Sequence, residues 1–402
     1  MPGWELFDEN EKRQIDEVME TGVIMRYGFD GARKGRWKAR ELEQAVRSYT
    51  GASYVLMAAD GTAALTTALA ALGVGAGDEV IIQPFTFVAT FESIMAAGAI
   101  PVFAEVDDTL CLSPESVLEA ITPRTKAVMP VHMCGAASRL DDLLAICKER
   151  NLYLVEDACQ AFGATYKGRA VGTIGDAGCY SFDFNKIVTC GEGGAVVTNS
   201  REVYERADMY HDHGHDHTKS DRGAEGHPFC GYNYRISELH AAIGLAQMAK
   251  LETFIARQRT NKRAFKEALS SIPDIKFRTL ADPDGDSATF LSFFLPDEDS
   301  ARRTTLALKE AGTEGVFHWY GNNWHYIRNW DHFKERRFAH PISSDILNGM
   351  QDYTKRVFKS DELISRTVSI TIKMGWSGEE AAEKAEAAAR AVKKGLAESH
   401  RR

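Results

Sequence analysis

Ser181-Phe-Asp-Phe-Asn-Lys-Ile-Val-Thr-Cys-Gly-Glu-Gly-Gly194, read together with the upstream Glu156-Asp157-Ala-Cys-Gln160, decides how this chain folds and what it handles. Lys186 stands in a polar loop after a short apolar run. Asp157 closely follows Leu152-Tyr-Leu-Val155, a run with the length and composition of a buried strand. A lysine that can form a Schiff base and a carboxylate that can keep a pyridine nitrogen protonated are two of the three groups that pyridoxal phosphate (PLP) chemistry requires. A free lysine, with a pKa of about 10.4, is mostly unreactive near neutrality, and burial, a neighbouring cation or imine formation lowers that value. Taken singly, each residue has an ordinary explanation, because lysines after strands are usually solvated and aspartates there often cap helices.

The third requirement is a phosphate anchor. Asp60-Gly-Thr-Ala-Ala-Leu65 is a turn that opens a strongly helical run from Ala63 to Leu72. Unpaired N–H groups and the helix dipole make such an N-terminus a phosphate site, although the same pattern also describes a plain capped helix. Gly61 permits close backbone approach, the Thr62 hydroxyl can donate to a phosphate oxygen, and Ser181 offers a second hydroxyl from the strand end before Lys186.

Outward from these points, apolar runs at 54–57, 80–83, 101–105, 127–131, 152–156, 178–182 and 195–198 read as short buried strands, most of them separated by helical segments. That is α/β organisation, with ligand groups expected in loops at the strand C-termini. A long helix is predicted from Ile236 through Leu251 and beyond, leading into a smaller C-terminal α/β lid. The lid has a strand at Thr289–Leu295, a helix over 378–398 and a frayed tail, Ser399-His-Arg-Arg402. The expected division is 1–255 for the large domain with its N-terminal segment and 256–402 for the small one.

These segments resemble the DegT/DnrJ/EryC1/StrS sugar aminotransferase family, of PLP fold type I; the similarity runs from about Gly35 into the C-terminal domain and is densest from Asp60 to Gln247. The resemblance implies an aspartate-aminotransferase-like fold: a large domain on a mixed, mostly parallel central sheet, plus a smaller α/β domain. By position it makes Lys186 the lysine joined to PLP and Asp157 the partner of the pyridine nitrogen. It sets Gln160 near the 3-hydroxyl, Gly61, Thr62 and Ser181 on the phosphate, and Phe87 of Pro84-Phe-Thr-Phe-Val-Ala-Thr90 against the ring. In Gly231-Tyr-Asn-Tyr-Arg-Ile-Ser-Glu238 it assigns Asn233 to the phosphate of the neighbouring subunit, which implies a homodimer with shared active sites. Asn233 and Arg235 can equally be read as caps of the following helix.

Within the family, Arg36-Trp-Lys38, Leu110-Cys-Leu-Ser-Pro114, Val131-His-Met-Cys-Gly135, Asp212-His-Gly-His-Asp-His217 and Asn322-Asn-Trp-His-Tyr326 are most similar to a branch that aminates C8 of an oxidised 3-deoxy-manno-octulosonate (Kdo) using glutamate. Many nucleotide-sugar members carry a Pro-Leu-His string where this chain reads Val316-Phe-His-Trp-Tyr-Gly-Asn-Asn-Trp-His325, which favours a free acidic sugar over a nucleotide-linked ketosugar, the alternative acceptor. Arg36, Lys38, His213, His215, His318 and His325 are the candidates for gripping that sugar; surface charge and domain-interface packing are the competing explanations for these positions. The His/Asp alternation at 211–217 has ligand chemistry, but a short loop rarely closes a coordination shell, so no metal is expected. The reaction implied is ping-pong transamination through the pyridoxamine (PMP) form of the cofactor. A sugar dehydratase is disfavoured because related dehydratases replace the lysine with histidine; a cofactor-binding regulator and a metal-loop hydrolase remain as other classes.

The 402 residues, 44% hydrophobic and 26% charged, suffice for a large core. A net charge of −9 without a long basic cluster argues against nucleic acid as a partner. Met1-Pro-Gly-Trp-Glu-Leu-Phe-Asp-Glu lacks the basic start and apolar core of a secretory signal, no run has the roughly 20 apolar residues of a membrane span, and the seven cysteines form no framework. A cytoplasmic enzyme with reduced thiols is expected.

Overall fold

The structure is a computed structural model that describes residues 2–219, 222–350 and 357–397. The four-residue tail at 399–402 and the end of the final helix at 398 lie outside the described residues. All seven expected strands form and lie in one sheet: β1 (Tyr54–Ala58), β2 (Glu79–Ile82), β3 (Ile100–Phe103), β4 (Thr125–Val128), β5 (Tyr153–Asp157), β8 (Ala177–Ser181) and β9 (Gly194–Thr198), with the hairpin β6 (Thr165–Tyr166) and β7 (Arg169–Ala170) as a separate flap. The order is β1-β9-β8-β5-β4-β2-β3, and only β9 runs antiparallel to its neighbours. Continuous apolar runs suit this sheet because helices cover both faces: every residue of β2, β3, β8 and β9 is buried.

Short polar caps start the intervening helices. Asp60, Ser113, Ser200 and Ser237 each accept a backbone N–H of the first turn, opening helices Gly61–Ala71, Pro114–Ala120, Arg201–Tyr210 and Glu238–Met248. The long helix expected from Ile236 is in fact two, Glu238–Met248 and Leu251–Leu269. The break at Ala249 and Lys250 escapes a propensity reading because both residues favour helix. Lys250 is held there by the Leu6 carbonyl at 2.8 Å and the Glu11 carboxylate at 2.6 Å.

Helix Leu251–Leu269 joins two apolar cores: its start (Leu251, Phe254, Ile255) packs under the large sheet, and its end (Phe265, Leu269) under a second sheet. That sheet is wholly antiparallel, β10 (Lys276–Phe277), β11 (Phe290–Phe294), β13 (Thr367–Thr371) and β12 (Val316–His318) in that order, and is backed by helices Glu298–Glu310 and Gly378–Ala397. A third apolar cluster lies between the sheets, with Phe85, Leu110 and Met133 meeting Phe290, Trp319 and Tyr326. Beside it the buried Arg278 guanidinium donates to the Met133 carbonyl at 2.8 Å and to the Thr109 carbonyl. This contact ties the small sheet to the loops that follow β3 and β4. Among the described residues, no helix is long and apolar enough to cross a membrane.

Candidate active site

A cavity of about 680 Å³ lies where the C-terminal ends of β5 and β8, the start of helix Gly61–Ala71 and the small sheet converge. Asp157 ends β5 and is 3% exposed. Its Oδ2 accepts the Thr90 hydroxyl at 2.7 Å and its Oδ1 accepts the Cys159 N–H at 3.1 Å, while Thr90 shares a 2.6 Å hydrogen bond with Thr86. The carboxylate is thereby aimed into the cavity by groups from β5 and from helix Val88–Ala96. Gln160 lines the same wall, its Oε1 accepting the Cys134 N–H at 3.2 Å.

At the opposite end the Asp60 side chain accepts the Ala63 N–H at 2.8 Å. Among the described residues the N–H groups of Gly61 and Thr62 have no such partner, so two backbone donors face outward at the positive end of a helix. A Cβ at Gly61 would stand 2.8 Å from Ser181 Cβ and 3.1 Å from Ser181 Oγ, so only glycine keeps this concavity open. Two donors, two hydroxyls (Thr62 and Ser181) and a helix N-terminus match the needs of a phosphate, and the buried Asp157 matches those of a protonated pyridine nitrogen. The residues present therefore fit PLP.

Lys186 lies between these ends. Its N–H donates to the Asp183 carbonyl at 2.9 Å and its own carbonyl accepts the Gly3 N–H at 2.9 Å. Its half-buried side chain lines the cavity, and the described residues give the ammonium no hydrogen bond or ion pair. The facing wall is built by backbone pairing: Thr86 N–H donates to the His325 carbonyl and Val88 N–H to the Trp324 carbonyl, each at 2.9 Å. This sets the Phe87 ring 5.4 Å from the His325 ring and 5.7 Å from that of Trp324. Burial, with the nearby Lys186 charge adding to it, pushes His325 down to about 3, so this imidazole is neutral at neutral pH.

The sequence-predicted residues thus divide. Lys186, Asp157, Gly61, Thr62, Ser181, Gln160, Phe87 and His325 all line one cavity. The other sugar candidates stand elsewhere on this subunit. Arg36 pairs with Glu20, the C-cap of helix Glu9–Met19, at 2.5 Å, and the buried Lys38 pairs with Glu17 of that helix at 2.6 Å and with Glu41 of its own helix at 3.1 Å, so both are committed to ion pairs. His318 Nε2 meets the Ser365 carbonyl at 2.6 Å at the far side of the small sheet. His213 is exposed, and His215 Nδ1 contacts Glu225 at 2.9 Å in a loop that packs around Asp212, Arg222 and His217. Asn233 is exposed and lies outside its own chain's cavity, beside Asp212 in a β-bridge.

Sequence reasoning missed Thr90 and Thr86, which lie in the quoted 84–90 segment but carried no charge signal. It also assigned no role to Trp4, Phe184 or Phe317, which line the same cavity. The fully buried Glu156 adds a supporting layer, accepting the N–H groups of Gly172, Ile174 and Gly175 at 2.7 Å each and meeting His132 Nε2 at 3.0 Å. Burial raises its pKa, but His132 and the backbone donors outweigh that and hold it below the usual carboxylate value.

Comparison with known proteins agrees with this geometry. The profile of the DegT/DnrJ/EryC1/StrS aminotransferase family matches residues 6–379, and the chain belongs to that family. It is 31% identical over 344 residues, 84% of this chain and 87% of the relative, to GDP-perosamine synthase of Escherichia coli O157:H7. The crystal structure of 3-amino-5-hydroxybenzoic acid (AHBA) synthase superposes with a TM-score of 0.81 at 29% identity, covering 97% of each chain. DesI in the presence of its TDP-sugar product gives a TM-score of 0.79 at 26% identity, covering 99% of this chain and 94% of the other. The protein is a PLP-dependent aminotransferase of fold type I.

Proposed function

We propose that this member of the DegT/DnrJ/EryC1/StrS family moves an amino group from L-glutamate to C8 of 8-oxo-3-deoxy-manno-octulosonate, giving 8-amino-Kdo. The observation that carries the transamination chemistry is the convergence of Lys186, Asp157 and the Gly61/Ser181 concavity on one cavity. In this reading Gly61, Thr62 and Ser181 hold the PLP phosphate, Asp157 faces the pyridine nitrogen, Gln160 lies by the 3-hydroxyl and Phe87 covers the ring. Bound there, PLP supplies an electron sink for the electron pair left when a proton departs the reacting carbon. The Lys186 amine takes that proton from Cα of glutamate in the first half-reaction and returns a proton to the sugar carbon in the second. The Thr90 hydroxyl fixes the orientation of Asp157. Neutral His325, beside Lys186, adds no positive charge to the site.

The acceptor rests on the five octulosonate-like segments and on the wall at 316–325, which carries Trp324 and His325 where nucleotide-sugar members have Pro-Leu-His. A nucleotide-linked ketosugar is the second reading, favoured by the likeness to GDP-perosamine synthase. Exposed Asn233 supports a homodimer in which this residue reaches the cofactor phosphate of the other subunit. Cytoplasmic location belongs to the same reading.

One experiment decides between the acceptors. Glutamate is added to the PLP holoenzyme until its visible band bleaches, and the resulting PMP form is then offered 8-oxo-Kdo and GDP- or TDP-ketosugars. Return of the band with 8-oxo-Kdo is expected. Return with nucleotide ketosugars alone rejects the Kdo assignment, and no bleaching by glutamate rejects the donor.

A further inference from the structure

We infer that Trp4, Phe184 and Glu5 form a carbohydrate subsite at the mouth of the Lys186 cavity, where the hydroxylated body of the acceptor stacks while its carbonyl carbon reaches the lysine. This rests on the sugar aminotransferase reading and deepens it. The Trp4 and Phe184 rings lie 5.4 Å apart with planes 4° from parallel, yet each remains open, Trp4 being 42% and Phe184 49% exposed. Both line the cavity, as does Glu5. Large aromatic faces left open in a concave, ligand-sized site are binding surfaces more often than packing defects. The C–H face of a sugar covers such rings, and a carboxylate beside them accepts hydroxyl protons.

The arrangement is fixed before any sugar arrives. The turn Gly3–Leu6 is tied to the Lys186 loop by the Gly3 N–H and the Lys186 carbonyl at 2.9 Å. It is held to the small domain by Glu5 Oε2, which accepts the Gly375 N–H at 3.0 Å, and to helix Leu251–Leu269 by Lys250, which donates to the Leu6 carbonyl at 2.8 Å. A Cβ at position 3 would fall 2.2 Å from Gln247 Oε1 and 2.4 Å from the Ile187 carbonyl oxygen, so only glycine brings the indole this close. Glu5 keeps its second oxygen for a ligand.

The test uses the PLP holoenzyme and two unreactive probes, Kdo and GDP, titrated calorimetrically. Wild type should bind Kdo; Trp4→Ala should weaken it about tenfold, Trp4→Phe should restore most of the loss, and Glu5→Gln should weaken it to a smaller degree. Unchanged Kdo affinity in Trp4→Ala, no binding of Kdo to wild type, or a loss confined to GDP, which would mark a base-stacking site, each overturns the subsite. Bleaching of the wild-type visible band by glutamate is measured alongside: its failure rejects glutamate as the donor in the proposed transamination, whereas bleaching with an unaltered Trp4→Ala titration rejects the subsite alone.

Discussion

The Thr90 hydroxyl donates to Asp157 Oδ2 at 2.7 Å, joining the helix that follows Phe87 to the end of β5. One uncharged residue thus orients the carboxylate assigned to the cofactor ring. A hydrogen bond to a buried charged group contributes about 1.5–3 kcal/mol. Thr90→Val should therefore lower kcat by about tenfold to a hundredfold with a smaller change in the glutamate KM, and Thr90→Ser should recover most of it. Asp157→Asn should be the more severe change. Steady-state rates that leave Thr90→Val at the wild-type level would refute this positioning role.

Lys186→Ala removes the residue assigned as both imine partner and base. The visible absorbance of the holoenzyme should be lost or altered, and turnover should fall by at least about a thousandfold. Borohydride reduction followed by peptide mapping should find the label in the peptide carrying Lys186; a label on another lysine would move the active centre elsewhere.

Gly61→Ala places a methyl group 2.8 Å from Ser181 Cβ, inside the concavity assigned to phosphate. The chain should fold, since the position opens a helix where alanine is tolerated, but PLP affinity should drop by about tenfold or more. Equilibrium dialysis of PLP measures this, and wild-type affinity in the variant would place the phosphate somewhere else.

Stability should decline between pH 6.5 and 4. His211 is fully buried, its Nδ1 donating to the Asp208 carbonyl at 2.6 Å, and burial together with the nearby Arg26 charge pushes it down to about 4. The unfolded chain protonates this residue near pH 6.5 and the folded one only near pH 4, so the unfolded state binds the extra proton in between and gains up to about 3 kcal/mol over that range. His325, lowered to about 3, acts in the same direction. Asp212 extends the loss to lower pH: burial opposes its ionisation, but Arg222 and Arg235 outweigh burial and hold it at about 2, so its contribution is present above about pH 4 and disappears as the pH falls toward 2. Urea midpoints should drop from pH 7 to pH 5 in wild type and drop less in His211→Gln. Equal wild-type midpoints would refute the linkage.

Much of the site was legible because PLP chemistry demands residue types that differ from their surroundings. A lysine between two glycine-rich or apolar segments, an aspartate after a buried run and a Gly-Thr pair before an alanine-rich helix all stand out in one dimension, and all three converge on the cavity. Arg36, Lys38, His213, His215 and His318 had equally suitable chemistry. Glu20, Glu17 and Glu41, Glu225 and the Ser365 carbonyl engage Arg36, Lys38, His215 and His318 respectively away from the cavity of their own subunit, His213 is exposed outside it, and apart from the i,i+3 pair Lys38–Glu41 none of those pairings has a local sequence signature.

The sequence by itself determined the α/β order of strands and helices, because continuous apolar runs bounded by polar caps can be buried only between two layers of helix. It also singled out Lys186, Asp157 and the turn at Gly61 and Thr62, since these are local patterns. Only the tertiary structure decided what surrounds them. Thr90 reaches Asp157 across 67 positions of chain, Trp4 meets Phe184, and the 316–325 segment closes over Phe87, all because β-sheet packing and the Arg278 contact bring sequence-distant surfaces together. Such contacts depend on distance in space, and residue order does not encode that distance locally.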